Sequence, residues 1–292
     1  FKLICQAHIK KVILFKGKMM DNLNKLCLHT ITTKPWTLDQ CLLNYEKVGV
    51  KGISIWRNVL ENQNLSTVNR RVKDAGLETV SLVRGGFFTG KTKEEKQKAI
   101  DENKKIIEEA AAIGAPLIVL VCGATPGISI GDNIKQIQEG IEAIIPFAEK
   151  NKVKLGIEPL HPMYADKRSA VCSLRSANQL AMLINSPSVG VTLDVFHLWW
   201  EEDLELQVNL CAKNNKLFSY HICDWKMDMS DMLNDRGLMG DGVIDVKGIT
   251  KMVEKTGFNG YREVEIFSNH SWKMDQKEFL KLIIDSYKQT YQ

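Results

Sequence analysis

Acidic and imidazole side chains recur at the ends of short apolar segments in the second half of this 292-residue sequence. Three of these segments end in Glu158, Asp194 and His221, and a fourth contains Glu265. Three carboxylates and one imidazole form a ligand set for a divalent cation of intermediate hardness. The set suits Mn²⁺ best, with Mg²⁺, Co²⁺ and Zn²⁺ as alternatives. The residue types therefore predict a metal site, provided that the fold brings the four segments to one place.

Each of these residues, taken singly, has an ordinary explanation. A lone carboxylate near the end of a strand is usually a solvated loop residue or a helix cap. Four such residues at matching positions of four consecutive segments are harder to explain in that way. Glu263 lies two residues before Glu265, points to the same side of an extended strand, and is a rival ligand. If Glu265 is the ligand, Glu263 is a buried carboxylate that hydroxyls such as Thr192 or Ser219, or water, must satisfy.

Short β-rich segments alternate with helical patterns from residue 25 to the end of the chain. Several of them are continuous apolar runs, as expected for parallel strands that are covered on both faces. The eight predicted strands are Lys25–Thr30, Gly52–Trp56, Leu77–Val83, Pro116–Cys122, Val153–Glu158, Val189–Asp194, Leu217–Cys223 and Tyr261–Phe267.

The helices between these strands have recognisable boundaries. Thr92 and Glu95 form a capping box, and Gly114 is placed to end the same helix. Pro146 is expected to kink the following helix near its end. Eight strand–helix units in order predict an α/β fold, a single (β/α)₈ TIM barrel. A doubly wound sheet is the alternative, because periodicity does not report whether a sheet closes. The remaining predicted helices fall at 37–48, 65–75, 175–185, 203–214, 245–256 and 275–290.

The composition is that of an ordinary globular chain, with 44% apolar and 25% charged residues. The formal charge of +4, from 39 basic and 35 acidic residues, is small and not gathered into one run. It therefore argues against a nucleic acid partner. The sequence has no apolar stretch of about 18 residues, so no membrane span is predicted. Seven cysteines without C-x-x-C spacing indicate reduced thiols in a cytoplasmic protein rather than a disulfide framework.

The first residues carry no recognisable targeting signal. Residues 1–18 mix apolar and basic residues without the apolar run or cleavage site of a signal peptide. Met19 and Met20 follow Lys16-Gly17-Lys18, whose codons resemble a ribosome-binding site before a start codon. We therefore expect residues 1–19 to be a non-native or disordered extension, and residues 20–292 to form the barrel.

Four groups of residues in the second half of the chain match a known pattern. They are Asp194-Val195-Phe196-His197, Tyr220-His221-Ile222-Cys223-Asp224, Arg236 with Gly240-Asp241-Gly242, and Glu265-Ile266-Phe267. Together they resemble the sugar isomerase/epimerase superfamily with the xylose isomerase-like TIM barrel. That superfamily contains D-tagatose 3-epimerase, D-psicose 3-epimerase, hydroxypyruvate isomerase and inosose dehydratase. The resemblance covers about residues 24–290.

The resemblance implies roles for individual residues. Substrate is expected to contact His197 and Arg236. Glu158 and Glu265 are expected to remove and return a proton beside a carbonyl, through a metal-stabilised enediolate. The implied substrate is a small carbohydrate, and related barrels often form homodimers or homotetramers. The ligands implied for one Mn²⁺-type ion, one from each of the last four strands, are Glu158, Asp194, His221 and Glu265.

Three further residues are candidate substrate contacts. His29 follows the first strand and Trp56 ends the second, so both would face the rim of a barrel. His161 lies in the loop after the fifth strand, where the ketose epimerases carry a further acidic residue, and this departure leaves the exact reaction open. Arg84–Phe88, after the third strand, is interpreted as a flexible surface loop, with a mobile lid or anion binding as alternatives.

The leading interpretation is a metal-dependent isomerase or epimerase of a free or modified sugar. An inosose-type dehydratase would use the same metal site and the same first step. An endonuclease IV-like repair enzyme shares the barrel, but its metal cluster needs histidines where strands two to four here end in Trp56, Arg84 and Cys122. A non-catalytic sugar-binding barrel is the remaining alternative, and the intact ligand set argues against it.

Overall fold

Parallel strands surround the centre of the molecule in a closed barrel. The computed structural model describes residues 23–291, so the predicted N-terminal extension of residues 1–19 lies outside the described residues. Each strand pairs in parallel with the next, and the last pairs with the first. The strands are β1 (Leu26–His29), β2 (Gly52–Trp56), β3 (Glu78–Gly86), β4 (Leu117–Val121), β5 (Lys154–Glu158), β6 (Val189–Asp194), β7 (Leu217–Ile222) and β8 (Arg262–Val264).

Helices connect the strands and cover the outside of the barrel. Their order confirms the predicted strand–helix units, and the pairing of β1 with β8 decides for the TIM barrel over the doubly wound sheet. One short helix, Val195–Leu198, follows β6 without a loop. The helices are α1 (Leu38–Val48), α2 (Leu65–Asp74), α3 (Lys93–Ile113), α4 (Ile130–Lys150), α5 (Leu174–Ile184), α6 (Val195–Leu198), α7 (Leu204–Lys213), α8 (Val246–Lys255) and α9 (Gln276–Tyr291).

The boundaries of α3 follow the predicted capping chemistry. The Thr92 hydroxyl accepts a hydrogen bond from the Glu95 amide, and the Glu95 carboxylate accepts one from the Thr92 amide. Gly114 ends the helix with a φ of 73°, a left-handed conformation that glycine adopts without steric strain. Both predictions are confirmed. Pro146 lies within α4, four residues before that helix ends.

The core lies between the barrel and the helices. Every residue of β4 and β6 is buried, as the continuous apolar runs predict. The helices contribute buried stripes such as Ile137, Ile141 and Ile144 of α4. The six cysteines among residues 23–291 are free thiols, and five of them are buried. In the same part of the chain, no helix combines the length and apolarity needed to cross a membrane.

The third strand is longer than predicted. The interpretation of residues 84–88 as a flexible surface loop is wrong for residues 84–86, which continue β3. The Asn103 side chain of α3 holds this end of the strand by accepting from the Gly86 amide and donating to the Gly86 carbonyl, both at 2.7 Å. A side chain at Gly86 would come within 2.0 Å of the Val121 carbonyl oxygen. The glycines therefore permit close packing here rather than mobility.

Gly140 provides a test of how tightly α4 packs on the barrel. A Cβ at this position would lie 2.5 Å from the ring of buried Phe88. We expect Gly140→Ala to lower the free energy of unfolding by about 1–3 kcal/mol through overpacking, although alanine favours helix. Gly131→Ala, at an exposed position of the same helix, should instead stabilise by up to about 1 kcal/mol. Urea denaturation of the two variants checks whether their free energies of unfolding change in opposite directions.

Glu201 links the loop after α6 to the start of α5 and should make stability depend on pH. Its carboxylate accepts a hydrogen bond from the Leu174 amide at 2.5 Å. Burial raises the pKa of Glu201 to about 7, against roughly 4.3 in an unfolded chain. The folded state therefore keeps this proton to a higher pH than the unfolded chain does. The stability that this proton contributes is fully present below about pH 4 and is lost as pH rises through about 7.

We expect Glu201→Gln to remove this dependence because the amide stays neutral at every pH. The stability of the variant relative to the unsubstituted chain should therefore rise between acidic and mildly alkaline buffer. Glu202→Gln changes the exposed neighbouring carboxylate and is the matched control. The comparison uses the urea midpoints of the three proteins at both pH values. The same pH dependence in the two variants would contradict the role of Glu201 in the pH dependence of stability.

Candidate functional site

The four predicted ligands meet at the carboxyl end of the barrel. Glu158 and Asp194 are the last residues of β5 and β6, His221 is the last but one of β7, and Glu265 directly follows β8. Because the strands are parallel, these positions share one rim. One ligand atom from each of the four residues lies within 4.8 Å of the others, and all four side chains are buried. The fold thus brings together four residues that are far apart along the sequence.

Unpartnered polar atoms at this cluster test whether a cation fits it. The Nδ1 atom of His221 lies 3.3 Å from Oε1 of Glu158 and 3.9 Å from Oε2 of Glu265. Glu158 Oε1 and both ring nitrogens of His221 are buried without a hydrogen-bond partner. Buried polar atoms seldom lack partners. A divalent cation between these atoms would satisfy them, so the donor set and its geometry fit such an ion.

Glu263 occupies a deeper layer of the barrel and is held by other side chains. Its Oε2 atom accepts hydrogen bonds from Ser54 Oγ at 2.6 Å and from His29 Nε2, 3.2 Å away. Its Oε1 atom accepts a hydrogen bond from Ser219. Ser219 thus satisfies Glu263 as expected, whereas the Thr192 hydroxyl has no partner. These bonds hold Glu263 in the deeper layer, whereas Glu265 lies within reach of the other three predicted ligands and is therefore the favoured ligand.

His29 lies between the two glutamates and is fully buried. Its Nδ1 atom is 3.0 Å from Oε1 of Glu265, and Trp56 Nε1 is 3.3 Å from the same nitrogen. Burial would lower the pKa of His29, but Glu265 and Glu263 raise it above its ordinary value. This position suits a residue that orients Glu265, and the Trp56 ring packs edge-on against Phe267 at the pocket wall.

Arg236 reaches the cluster from the long segment after β7. Its Nη1 atom is 2.9 Å from Asp194 Oδ2 and 3.1 Å from Glu265 Oε2. Nη2 lies 3.3 Å from Nε2 of His197. The guanidinium is buried and stacks over Phe196, with its carbon 4.3 Å from the ring centre. Arg236 therefore neutralises two of the predicted ligand carboxylates directly.

Backbone contacts fix the segment that carries Arg236. Its own amide donates to the Phe267 carbonyl at 2.8 Å, beside Glu265. Asp224, at the start of the segment, accepts from the amides of Gly240 and Ile244 at 2.9 and 3.0 Å. Asp224 and Gly237 also pair as a short antiparallel bridge. Among residues 23–291, the longest irregular stretch thus holds one arginine at the cluster.

His197 follows Asp194 by one helical turn in α6. Burial lowers the pKa of His197 to about 3, so the ring is neutral. With Nε2 accepting from the Arg236 guanidinium, the proton sits on Nδ1, which has no partner. The side chain lines the pocket above the cluster. It can therefore donate a hydrogen bond to an oxygen of a bound molecule.

His161 packs among aromatic side chains and is not one of the residues that line the pocket with Glu158 and Glu265. Its Nδ1 accepts from the Met163 amide at 3.2 Å, which leaves Nε2 as the donor of the neutral ring. The ring packs against Trp200 and Trp225, with centroids 5.7 and 5.0 Å away. Burial lowers the pKa of His161. His161 thus belongs to an aromatic group beside the pocket.

The pKa values of the two glutamates that are predicted to transfer the proton shift in opposite directions. Burial raises the pKa of Glu158, although His221 opposes the shift. Burial would also raise the pKa of Glu265, but His29 and Arg236 hold it well below its ordinary value. Burial would lower the pKa of His221, while Glu263 and Glu158 raise it to about 10. Environments that separate two carboxyl pKa values are typical of acid–base sites.

Several pocket residues were not identified as site residues from the sequence. Leu160, Tyr164 and Arg168 come from the segment after β5, and Leu233 comes from the segment that carries Arg236. Their position after a barrel strand is the signal that could have identified them. Arg84, for which anion binding was the less favoured alternative, lines the same pocket.

Comparisons with known proteins agree with this architecture. The sequence pattern of the xylose isomerase-like TIM barrel family matches residues 43–283. The crystal structure of protein SMc04130 from Sinorhizobium meliloti 1021 is 39% identical, with a TM-score of 0.88, over 92% of this chain and 98% of that chain. The inosose isomerase of Bacillus licheniformis is 24% identical over 88% of this chain and 94% of that protein.

A crystal structure of the IolI protein with a bound zinc atom has the same fold. It is 24% identical, with a TM-score of 0.78, over 91% of this chain and 96% of that chain. The family pattern spans most of the barrel, including all four cluster residues. The chain belongs to the xylose isomerase-like TIM barrel family.

Proposed function

We propose that this protein is a divalent-metal-dependent isomerase or epimerase that acts on a sugar or sugar derivative by proton transfer next to a carbonyl. The observation that carries the proposal is the buried convergence of Glu158, Asp194, His221 and Glu265 within 4.8 Å. The inosose isomerase relative supports a polyhydroxy ketone as the type of substrate. Free thiols at six cysteines support a cytoplasmic location.

In this proposal the four cluster residues hold one divalent cation, for which Mn²⁺ is the first choice on the donor set. When bound, the cation would polarise the substrate carbonyl and stabilise the negative charge that develops on its oxygen. Asp194 is well placed to remain ionised, because Arg236 lowers its pKa against the effect of burial. Glu263 and His29 hold the deeper layer and fix the orientation of Glu265.

Glu158 and Glu265 are the proposed acid–base pair. They stand on strands that are three places apart around the barrel, and both line the pocket. One carboxylate removes the proton from the carbon next to the carbonyl. In an isomerisation the former carbonyl carbon receives a proton, and the hydroxyl proton moves to the former carbonyl oxygen. In an epimerisation the other carboxyl group delivers a proton to the opposite face of the same carbon. Both outcomes conserve all substrate atoms and need no further reactant.

The remaining pocket residues are proposed to bind substrate hydroxyl groups. His197 offers a donor at Nδ1, and Arg236 offers guanidinium hydrogens beside the cluster. Trp56 and Phe267 form an apolar wall, on which the C–H face of a sugar can pack. His161 is proposed to contribute from the aromatic group with Trp200 and Trp225.

Deuterium incorporation tests this function. Protein loaded with Mn²⁺, or treated with a chelator, is incubated in D₂O with ketoses, aldoses, inososes and hydroxypyruvate. Mass spectrometry then reports deuterium uptake, and chromatography reports new isomers. We expect uptake next to a carbonyl and a new isomer or epimer only with metal-loaded protein.

Other outcomes would redirect the assignment. Loss of water from the substrate would indicate an inosose-type dehydratase that uses the same first step. Tight metal binding without deuterium uptake for any compound, including acidic and phosphorylated sugars, would contradict the proposed reaction and favour a sugar-binding barrel.

A further inference from the structure

Two arginines line the same pocket as two of the predicted metal ligands. Arg84 projects from the end of β3, and Arg168 comes from the segment after β5. Both arginines line this pocket together with Glu158, Glu265 and Arg236. Neither arginine has a part in the proton transfer proposed above.

The backbone holds both arginines in place. Arg84 lies two residues before Gly86, which the Asn103 side chain ties to α3. The Arg168 carbonyl accepts from the Gly123 amide at 2.9 Å, and its amide donates to the Tyr164 carbonyl at 2.9 Å. Gly123 follows β4 and packs against the backbone of Phe87, where a Cβ would approach within 2.9 Å. The two arginines are thus presented by neighbouring, packed segments rather than by free loops.

Neither guanidinium has an acidic partner within the part of the chain that the structure describes. No carboxylate of residues 23–291 comes within 4.0 Å of Arg84 or Arg168, whereas Arg57 pairs with Glu102 and Glu109. Arg84 lies over the Phe87 ring at 4.3 Å, and Arg168 lies 5.8 Å from the centre of the Tyr164 ring. Aromatic faces orient a guanidinium but do not neutralise it.

The two charges are close enough to oppose each other. Burial lowers the pKa of Arg84 to about 10, and Arg168 adds to that effect. The nearby carboxylates have other partners: Arg236 pairs with Asp194 and Glu265, and Glu158 faces His221. Glu158 acts on the pKa of Arg84 in the opposite direction, but no carboxylate of the described residues lies within 4.0 Å of either guanidinium, so neither positive charge is paired.

We propose that Arg84 and Arg168 bind an anionic group, a carboxylate or a phosphate, at the end of the substrate distant from its carbonyl. Guanidinium groups match both oxyanions through paired N–H donors. The preferred substrate is then an acidic or phosphorylated sugar derivative rather than a neutral sugar. This inference rests on the proposed function only for placing the carbonyl end at the metal ligands.

Matched ligands and variants test the anion site by binding alone. Calorimetric titrations of the Mg²⁺-saturated protein use D-fructose, D-fructuronate and D-fructose 6-phosphate. The variants are Arg84→Met, Arg168→Met and, as control, Arg70→Met at an exposed position of α2. We expect at least one charged sugar to bind about tenfold or more tightly than fructose. Arg84→Met and Arg168→Met should each remove most of that preference, and Arg70→Met should leave it unchanged.

The three ligands separate the two anion sources, because preference for fructuronate indicates a carboxylate and preference for the phosphate ester indicates a phosphate. Arg84→Lys and Arg168→Lys keep the charge and should retain part of the preference, which guards against a simple loss of folding. Equal binding of charged and neutral sugars, or no measurable binding of either charged sugar, would overturn the proposal. Preference that persists in both methionine variants would also overturn it.

Measuring deuterium uptake as well as binding distinguishes a failure of the anion site from a failure of the proposed function. If neutral sugars exchange deuterium while no charged sugar binds more tightly, the anion site fails and the proton-transfer function stands. If charged sugars bind through the two arginines but exchange no deuterium, the anion site stands and the proposed function fails.

Discussion

Replacing Glu265 by glutamine is expected to lower the rate of deuterium uptake by at least about 10²- to 10⁴-fold. Glutamine keeps the size of the side chain but removes both the charge that binds a cation and the oxygen that accepts a proton. Glu265 lies 3.0 Å from His29 and 3.1 Å from Arg236, so the neutral amide also leaves these two partners without their carboxylate. Mass spectrometry of the substrate that responds best to the unsubstituted protein measures the loss.

Glu263→Gln distinguishes the two glutamates of the last strand. Glu263 lies in the deeper layer, bonded to Ser54, Ser219 and His29. Its substitution should weaken metal binding by about 10- to 100-fold, as loss of an outer-shell partner does, while activity returns at saturating metal. Glu278→Gln, at an exposed position of α9, is the control for handling and folding. If the Glu265→Gln variant is active and the Glu263→Gln variant is inactive, Glu263 rather than Glu265 is the metal ligand.

Arg236→Met is expected to destabilise the protein by about 3–5 kcal/mol when a chelator is present. Methionine fills much of the space of the arginine stem but leaves Asp194 and Glu265 buried without the guanidinium. Both carboxylates lie close to that group, at 2.9 and 3.1 Å. Urea denaturation in EDTA measures the loss of unfolding free energy.

Added Mn²⁺ should restore part of the lost stability, because a cation on the same carboxylates replaces the missing charge. The rise in the melting temperature on adding Mn²⁺ should therefore be larger for Arg236→Met than for the unsubstituted protein. Arg175→Met removes an exposed ion pair with Asp203 and should lower stability by less than about 1 kcal/mol. Similar losses for the two arginine variants would contradict the role assigned to Arg236.

The sequence was sufficient to predict the eight strand–helix units and the four cluster residues. Hydrophobic periodicity, helix caps and apolar runs are local signals. Together they mark eight strand–helix units in order along the sequence. Once the strands are parallel, their last residues must share a rim, so Glu158, Asp194, His221 and Glu265 follow from position alone. Closure itself depends on the pairing of β1 with β8, which no local pattern reports.

Contacts between distant segments were harder to predict. Gly85 and Gly86 normally disfavour a strand, and only the amide of Asn103, far along the chain, shows why β3 continues through them. The same holds for Arg236, whose partners are 42 and 29 residues away. The support of Glu263 by Ser54 and His29 spans more than half of the chain. Such pairings are determined by the folded topology, and residue spacing along the sequence does not predict them.

Calorimetric titration of the purified protein with Mn²⁺ tests the central claim most directly. We expect one ion to bind per chain, and we expect Glu158→Gln, Asp194→Asn, His221→Gln and Glu265→Gln each to weaken binding by at least about tenfold. Glu278→Gln should bind as the unsubstituted protein does. Binding that is absent from the unsubstituted protein, or that is unchanged in all four cluster variants, would contradict a metal centre at the rim of this barrel.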